Sequence, residues 1–146
     1  MKKLLALMLA AALTLSLVAC GGVIMSMEEM LENAVEMDSH YLQDIVDGAK
    51  ANKAKLLNDY KGEIVSVTSV VVSDITSGGI VTLGLSTVKT YFELKEDEVA
   101  QFEVGDLISV VGIISDITIY SDEIRIELDP VYLVEVLGPS LFKEMF

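Results

Sequence analysis

Gly62 separates two hydrophobic periods, and that division limits what the chain can fold into. From Ser26 to Tyr60 the apolar residues Met27, Met30, Leu31, Ala34, Val35, Tyr41, Leu42, Ile45, Val46, Ala49, Leu56, Leu57 and Tyr60 recur at three- and four-residue steps. Acids lie between them, which is the spacing of an amphipathic helix. Ser26 followed by Glu29 has the form of a capping box, and early glutamates suit the positive end of a helix dipole. The stripe weakens near Gly48, which predicts a bend or two shorter helices. Lys61-Gly62 ends the pattern.

Past Gly62 the period falls to two. Glu63–Val72 is rich in β-branched residues, Ile80–Leu85 follows the turn Ser77-Gly78-Gly79, and Val88–Leu94 alternates Phe92 inward with Tyr91 outward. Lys95–Phe102 breaks the strand pattern and places Val99 with Phe102 on a short helix. Val104-Gly105-Asp106 then turns into Leu107–Ile114, and Ile124, Ile126 and Leu128 alternate with Arg125, Glu127 and Asp129. A last extended piece, Val131–Val136, ends at Leu137-Gly138-Pro139.

Five strands in about 75 residues, with a short helix between the third and fourth, match the order of an OB-fold, a small Greek-key barrel. A long first strand can serve both halves of such a barrel, and Gly112 inside the fourth permits sharp coiling. The expected fold is therefore mainly β with an N-terminal helix (α+β): a five-stranded OB-fold barrel preceded by an amphipathic helical segment. The expected divisions are a signal peptide over 1–19, a tether over 20–25, the helical segment over 26–61, the barrel over 62–137 and a tail over 138–146. The apolar tail, Leu141-Phe142-Lys143-Glu144-Met145-Phe146, is expected to dock on the rest.

The start of the chain carries a separate instruction. Leu4 to Ala19 is an apolar run of 16 residues behind Lys2 and Lys3. It is short against the about 20 residues of a spanning helix. A basic start, an apolar middle and a small-residue end describe a secretion signal. Leu17-Val18-Ala19-Cys20 resembles the bacterial lipobox. That resemblance implies a diacylglyceryl group on the Cys20 sulfur, cleavage that leaves Cys20 first, and a lipid anchor on the extracytoplasmic face of a bacterial membrane. Two acyl chains are needed for firm attachment, since one alone holds only marginally. Cys20 is the sole cysteine, so no disulfide or cysteine-based metal cluster can form within the chain.

The residues Asn52-Lys53-Ala54, Tyr60-Lys61-Gly62, Val65-Ser66-Val67-Thr68 and Val104 to Gly112 (VGDLISVVG) resemble the tRNA_anti-like OB-fold family of bacterial lipoproteins. The resemblance runs over roughly residues 45 to 136. One departure is Ser69, where members often carry glycine in strand one. For most secreted members the resemblance implies no activity.

Charge bears on ligands. Removing Lys2 and Lys3 from the ten basic residues leaves 8 against 23 acids, a net of −15 from Cys20 onward. Such a surface repels phosphate backbones, whose binding rests on Lys and Arg releasing counterions. Tyr91 is the one aromatic expected on the outer face of strands two and three, so no nucleic-acid partner is expected. Single-stranded nucleic acid or an oligosaccharide on that face is the lowest alternative. No serine sits in a nucleophile elbow, and His40 reads as an exposed helix residue, so the chain is not expected to be an enzyme.

The expected function is a non-catalytic OB-fold binding or interaction module, with no cofactor beyond the Cys20 lipid. Its expected partners are the bilayer and an envelope protein or a second copy met through the helical stripe. The alternative is a cation or small-ligand site in acidic loops. Its candidates are Asp74, Asp116, Asp122, Glu123 and Tyr91, with Glu96-Asp97-Glu98 as another acidic run, and Ca²⁺ or Mg²⁺ as the ion. The echo Val72-Ser73-Asp74-Ile75-Thr76 and Ile114-Ser115-Asp116-Ile117-Thr118 supplies two of those acids, although Ser-Asp is also good turn chemistry.

Overall fold

The computed structural model describes residues 25–145. Leu17, Val18, Ala19 and Cys20 lie outside the described residues. Helix α1 (Met27–Asn33) starts where Ser26 Oγ accepts from the Glu29 N–H at 3.2 Å. It stops far sooner than the hydrophobic stripe suggests. Val35–Glu36 forms a short strand, β1, parallel to the barrel's first strand, and Met37 N–H continues the contact to the Ser66 carbonyl at 2.8 Å.

Helix α2 (Ser39–Ala51) is capped by Asp38, whose Oδ1 accepts from Tyr41 N–H at 2.9 Å. Helix α3 (Lys53–Tyr60) is capped by Asn52, whose Oδ1 accepts from Lys55 N–H. Asn52 also closes α2 by donating its own N–H to Gly48, so the break falls there and not at Gly48. Gly48 faces α3 instead: a Cβ on it would stand 2.7 Å from Leu56 Cδ1, the movable end of that side chain.

The barrel strands are β2 (Ile64–Ile75), β3 (Ile80–Leu83), β4 (Val88–Glu93), β5 (Asp106–Ile119) and β6 (Ile124–Pro139), with helix α4 (Glu96–Val99) between β4 and β5. The sheet runs β2-β3-β4-β6-β5 and closes by β5 pairing back onto β2. All barrel pairs are antiparallel except β4 with β6. This is the OB-fold expected from the strand order. Strands β5 and β6 outrun their expected ends, and Val131–Val136 continues β6 rather than forming a separate piece.

Closure depends on irregularities that change which side chains face inward. In β2, Val65 and Val67 are buried; after the register shift between Val67 and Val70, the inward side is carried by Val70 and Val72. At that shift Ser69 has φ 53°, and its N–H donates to Ser109 Oγ at 3.0 Å. The sequence echo proves to be a repeated bulge and not a pair of turns. Ser73 is the extra residue between Val72↔Leu83 and Asp74↔Thr82, and Ser115 between Ile114↔Leu128 and Asp116↔Glu127. Each serine donates its hydroxyl to a carbonyl across the ladder, Ser73 to Thr82 and Ser115 to Glu127, both at 3.2 Å.

One core fills the barrel and extends into the helices. Met37, Ile45, Ala49 and Leu56 share it with Val65, Val81, Phe92, Ile108, Ile114, Ile126 and Leu128. The helical segment is therefore neither a stalk nor an open self-association stripe; α2 and α3 cover the barrel with it. Helix α1 packs separately on β2 and β5, burying Met30 completely, and Tyr132 Oη on β6 donates to the Met25 carbonyl at 2.7 Å. The tail docks through its charge. Lys143 Nζ meets Asp106 Oδ1 at 2.9 Å and also Glu103, whereas Leu141 is 98% exposed. Burial pushes the Asp106 carboxyl up, but the bonds from Lys143 and from the Glu103 N–H outweigh it and hold it below the usual range.

Gly112 is needed for close approach. A Cβ there would lie 2.9 Å from the Pro130 carbonyl oxygen and 3.1 Å from Leu128 Cβ. Gly112→Ala should therefore destabilise by about 1–3 kcal/mol. Ser69→Gly should stabilise by about 0.5–1 kcal/mol, because it relieves a left-handed backbone while keeping the bond to Ser109. Urea unfolding of the two variants checks both signs; a neutral Gly112→Ala would mean that β5 and β6 are not this close.

Candidate ligand groove on the barrel

A groove of about 700 Å³ opens on the barrel between the β2–β3 turn, β4 and the start of β6. Thr76, Ile80, Tyr91, Lys95, Tyr120 and Arg125 are among its lining residues. Alternation on β4 sends Phe92 into the core, where it is 2% exposed, and Tyr91 into the groove. The parallel register Lys89↔Arg125 and Tyr91↔Glu127 then places Arg125 beside Tyr91 on the outer face. Tyr120, at the β5–β6 turn, arrives from the other side; its N–H donates to the Glu123 carbonyl at 2.8 Å.

Glu123 is the hub. Its Oε2 accepts from Arg125 Nε at 2.8 Å, and its Oε1 accepts from Tyr91 Oη at 3.1 Å and pairs with Lys89 Nζ at 3.3 Å. The Arg125 guanidinium is thereby held 4.7 Å from the Tyr91 ring centre and 4.8 Å from that of Tyr120. The hydrogen bond from Arg125 is the largest influence on Glu123. Burial opposes it, Tyr91 and Lys89 reinforce it, and the carboxyl falls below its ordinary range. Burial first, and the bond to Glu123 second, push the Tyr91 phenol up; the nearby Arg125 and Lys89 pull the other way.

Of the sequence candidates, only Tyr91 and Glu123 come together. Asp74 and Asp116 run off opposite ends of the β2–β5 ladder, which spans Ile64↔Ile113 to Val71↔Leu107. Asp116 Oδ1 accepts from the N–H of the next residue, Ile117, at 2.9 Å, and Asp122 is exposed in the β5–β6 turn. Glu96, Asp97 and Glu98 form the first turn of α4, where the helix dipole favours acids, and Glu98 accepts from Lys95 N–H. Among the described residues no three His, Cys, Asp or Glu side chains gather as a metal ion would require. His40 is exposed on α2.

Tyr120 was legible only as the start of Tyr120-Ser121-Asp122-Glu123, a stretch offering oxygen ligands to a cation, and Arg125 only in a strand's alternation. The parallel β4–β6 pairing is what joins them.

No family model matches the chain, and no curated protein matches it. Solved structures do. A candidate nucleic acid-binding lipoprotein from Klebsiella pneumoniae superposes with a TM-score of 0.51 at 17% identity, covering 76% of this chain and 100% of that one. A mitogen derived from Streptococcus dysgalactiae gives 0.43 at 12% identity, over 56% of this chain and 39% of the mitogen. The hypothetical protein ygiW from E. coli gives 0.34 at 11% identity, over 69% and 89%. At these identities the likeness is one of fold.

If Glu123 sets the electrostatics of this cluster, Glu123→Ala removes a cause that raises Tyr91. The Tyr91 phenol should then titrate at lower pH than in the parent, read by ultraviolet difference titration against Tyr91→Phe. An unchanged titration would show that the carboxylate does not govern the ring.

Proposed function

We propose that this protein is a bacterial lipoprotein, anchored through Cys20 on the extracytoplasmic face of the membrane, whose barrel binds a ligand without transforming it. The observation that carries the binding reading is the convergence of Tyr91, Tyr120 and Arg125 on one groove, with Glu123 bonded to Arg125 and Tyr91. Two tyrosine rings and the guanidinium plane between them suit a planar group. The other charges lining the groove are Glu93, Glu127 and Asp129 against Lys95, within a chain of net charge −13, so a neutral or cationic planar group fits better than an anion.

No acid–base role is proposed for Glu123 or Tyr91. General acid–base work needs a group poised near the operating pH. Glu123 is shifted down and Tyr91 up, each away from neutrality. Glu123 is committed to Arg125, Lys89 and Tyr91, which weighs against its use as a cation ligand.

Single-stranded nucleic acid is the second reading. In its favour are the Klebsiella lipoprotein, named as a candidate nucleic acid binder, and the two tyrosines, which offer stacking faces. That neighbour gives no support to the expected exclusion of nucleic acid. Against the reading stands the charge of the surface. Two probes separate the readings, both followed by tyrosine fluorescence at low salt: an arginine-rich peptide and an oligo(dT). The expected result is peptide binding that Tyr91→Ala abolishes, with no response to oligo(dT). Oligonucleotide binding lost in the same variant would install the second reading.

The anchor rests on the lipobox resemblance of Leu17 to Cys20, on the short apolar run before it and on the lipoprotein nature of the Klebsiella neighbour. Cys20→Ser should release the protein from the membrane fraction and stop its processing. A variant still membrane-bound at the usual processed mass would remove the anchor.

A further inference from the structure

We infer that the C-terminal end of the β5–β6 hairpin is a bilayer-docking surface, which holds the ligand groove's outer turn away from the membrane. The inference rests on the anchor proposed above and adds an orientation to it.

From Tyr132 onward β6 is a sheet edge. Residues 131–139 pair with β5 alone, whereas the first half of β6 pairs with β4 as well. Two bulges in this edge each carry an apolar residue. Val134 is the unpaired residue between Ser109↔Glu135 and Val110↔Leu133, and Leu137 that between Leu107↔Gly138 and Ile108↔Val136. They are 36% and 45% exposed. The chain then turns, with Ser140 N–H bound to the Gly105 carbonyl, and presents Leu141 at 98% and Phe142 at 46% exposure. Four exposed apolar side chains thus follow within nine residues along an open strand edge, a surface that in water invites association unless something covers it.

The position of the preceding chain identifies the cover. Met25 is held against this strand, its carbonyl accepting from Tyr132 Oη. Cys20 stands five residues earlier, so a lipid on its sulfur lies within roughly 18 Å of that carbonyl at full extension. The bilayer interface is the apolar phase in reach. The near end of the hairpin carries those four exposed apolar side chains; the far turn carries one, Tyr120, and its Glu123 is paired with Arg125 and Lys89. The far turn carries Asp122 and Glu123, with Asp116 and Glu127 just behind. At the near end Lys143 bridges the two acids Glu103 and Asp106, and Glu135 and Glu144 stand as exposed carboxylates beside the apolar residues. Those two favour a zwitterionic surface over an anionic one.

The test uses the protein's own chemistry. Residues 20–146 include every element described, and the chain has no tryptophan and one cysteine. Cys20 is coupled to a maleimide-headgroup lipid in phosphatidylcholine vesicles containing a nitroxide-labelled phospholipid. Single tryptophans are placed by Leu141→Trp, Leu137→Trp and, at the opposite turn, Ser121→Trp. About two-fold quenching or more is expected at positions 141 and 137, and none at 121. Equal quenching at all three, or none at 141, overturns the orientation. Coupling supplies the anchor whether or not a cell adds one, so this result and the fate of Cys20→Ser in cells fail independently.

Discussion

Everything else in the molecule depends on β2 serving two neighbours at once. Its first half pairs with β5 and its last residues with β3, and a straight strand cannot do both around a five-stranded barrel. The Ser69 bulge resolves this by inserting one residue, reversing the inward parity and placing a left-handed backbone where the strand must coil. The cost of that conformation, about 1–2 kcal/mol for a non-glycine residue, is partly offset because Ser109 Oγ accepts the displaced N–H. Ser73 and Ser115 mark two further bulges without the left-handed backbone, each hydroxyl capping a carbonyl across its ladder. At these two bulges serine does what glycine could not, since its hydroxyl bonds the cross-strand carbonyl.

A barrel bent this way must also be filled at its ends. Phe102, after α4, enters the core at one point, and Met37, Ile45, Ala49 and Leu56 enter from the helical segment. Met37 is reached only because the chain leaves α1 and runs two residues as β1 along β2. Its sulfur then accepts from the buried Thr90 hydroxyl at 3.8 Å. The same detour lays α1 on the outside of the barrel and leaves Met25 on β6, which sets where the N-terminal chain departs.

The strand order, the short helix before strand four and the inward place of Phe92 were legible, because each follows from a two-residue period and local turn chemistry. The length of the helices was not. A continuous apolar stripe from Met27 to Tyr60 does not show that Val35 and Glu36 will join a sheet edge, since that choice is made by a partner strand distant in sequence. The echo around Ser73 and Ser115 was visible as a pattern, but turn and bulge use the same residues, and only the cross-strand register separates them. The groove was half legible. Tyr91 and Glu123 could be named singly; their meeting with Arg125 and Tyr120 comes from a parallel pairing that leaves no local signature.

The charge arrangement at the groove explains how an acidic barrel keeps a guanidinium fixed on its surface. An exposed arginine in a chain of net charge −13 has many acids to choose from, and a simple surface pair is worth little. Arg125 is fixed because its bond to Glu123 is directional and its plane is also met by two aromatic rings. Glu123 in turn is held by three donors from three positions, so moving any one leaves two to keep it in place. That redundancy makes the wall of the groove rigid before a ligand arrives, and a rigid wall loses little freedom on binding. An anion entering the groove would compete with Glu123 for Arg125, and a cation would compete with Arg125 for Glu123, so this pair alone favours neither. The preference argued for a neutral or cationic group therefore rests on Glu93, Glu127 and Asp129 against Lys95 in the lining, because Arg125 already has its carboxylate.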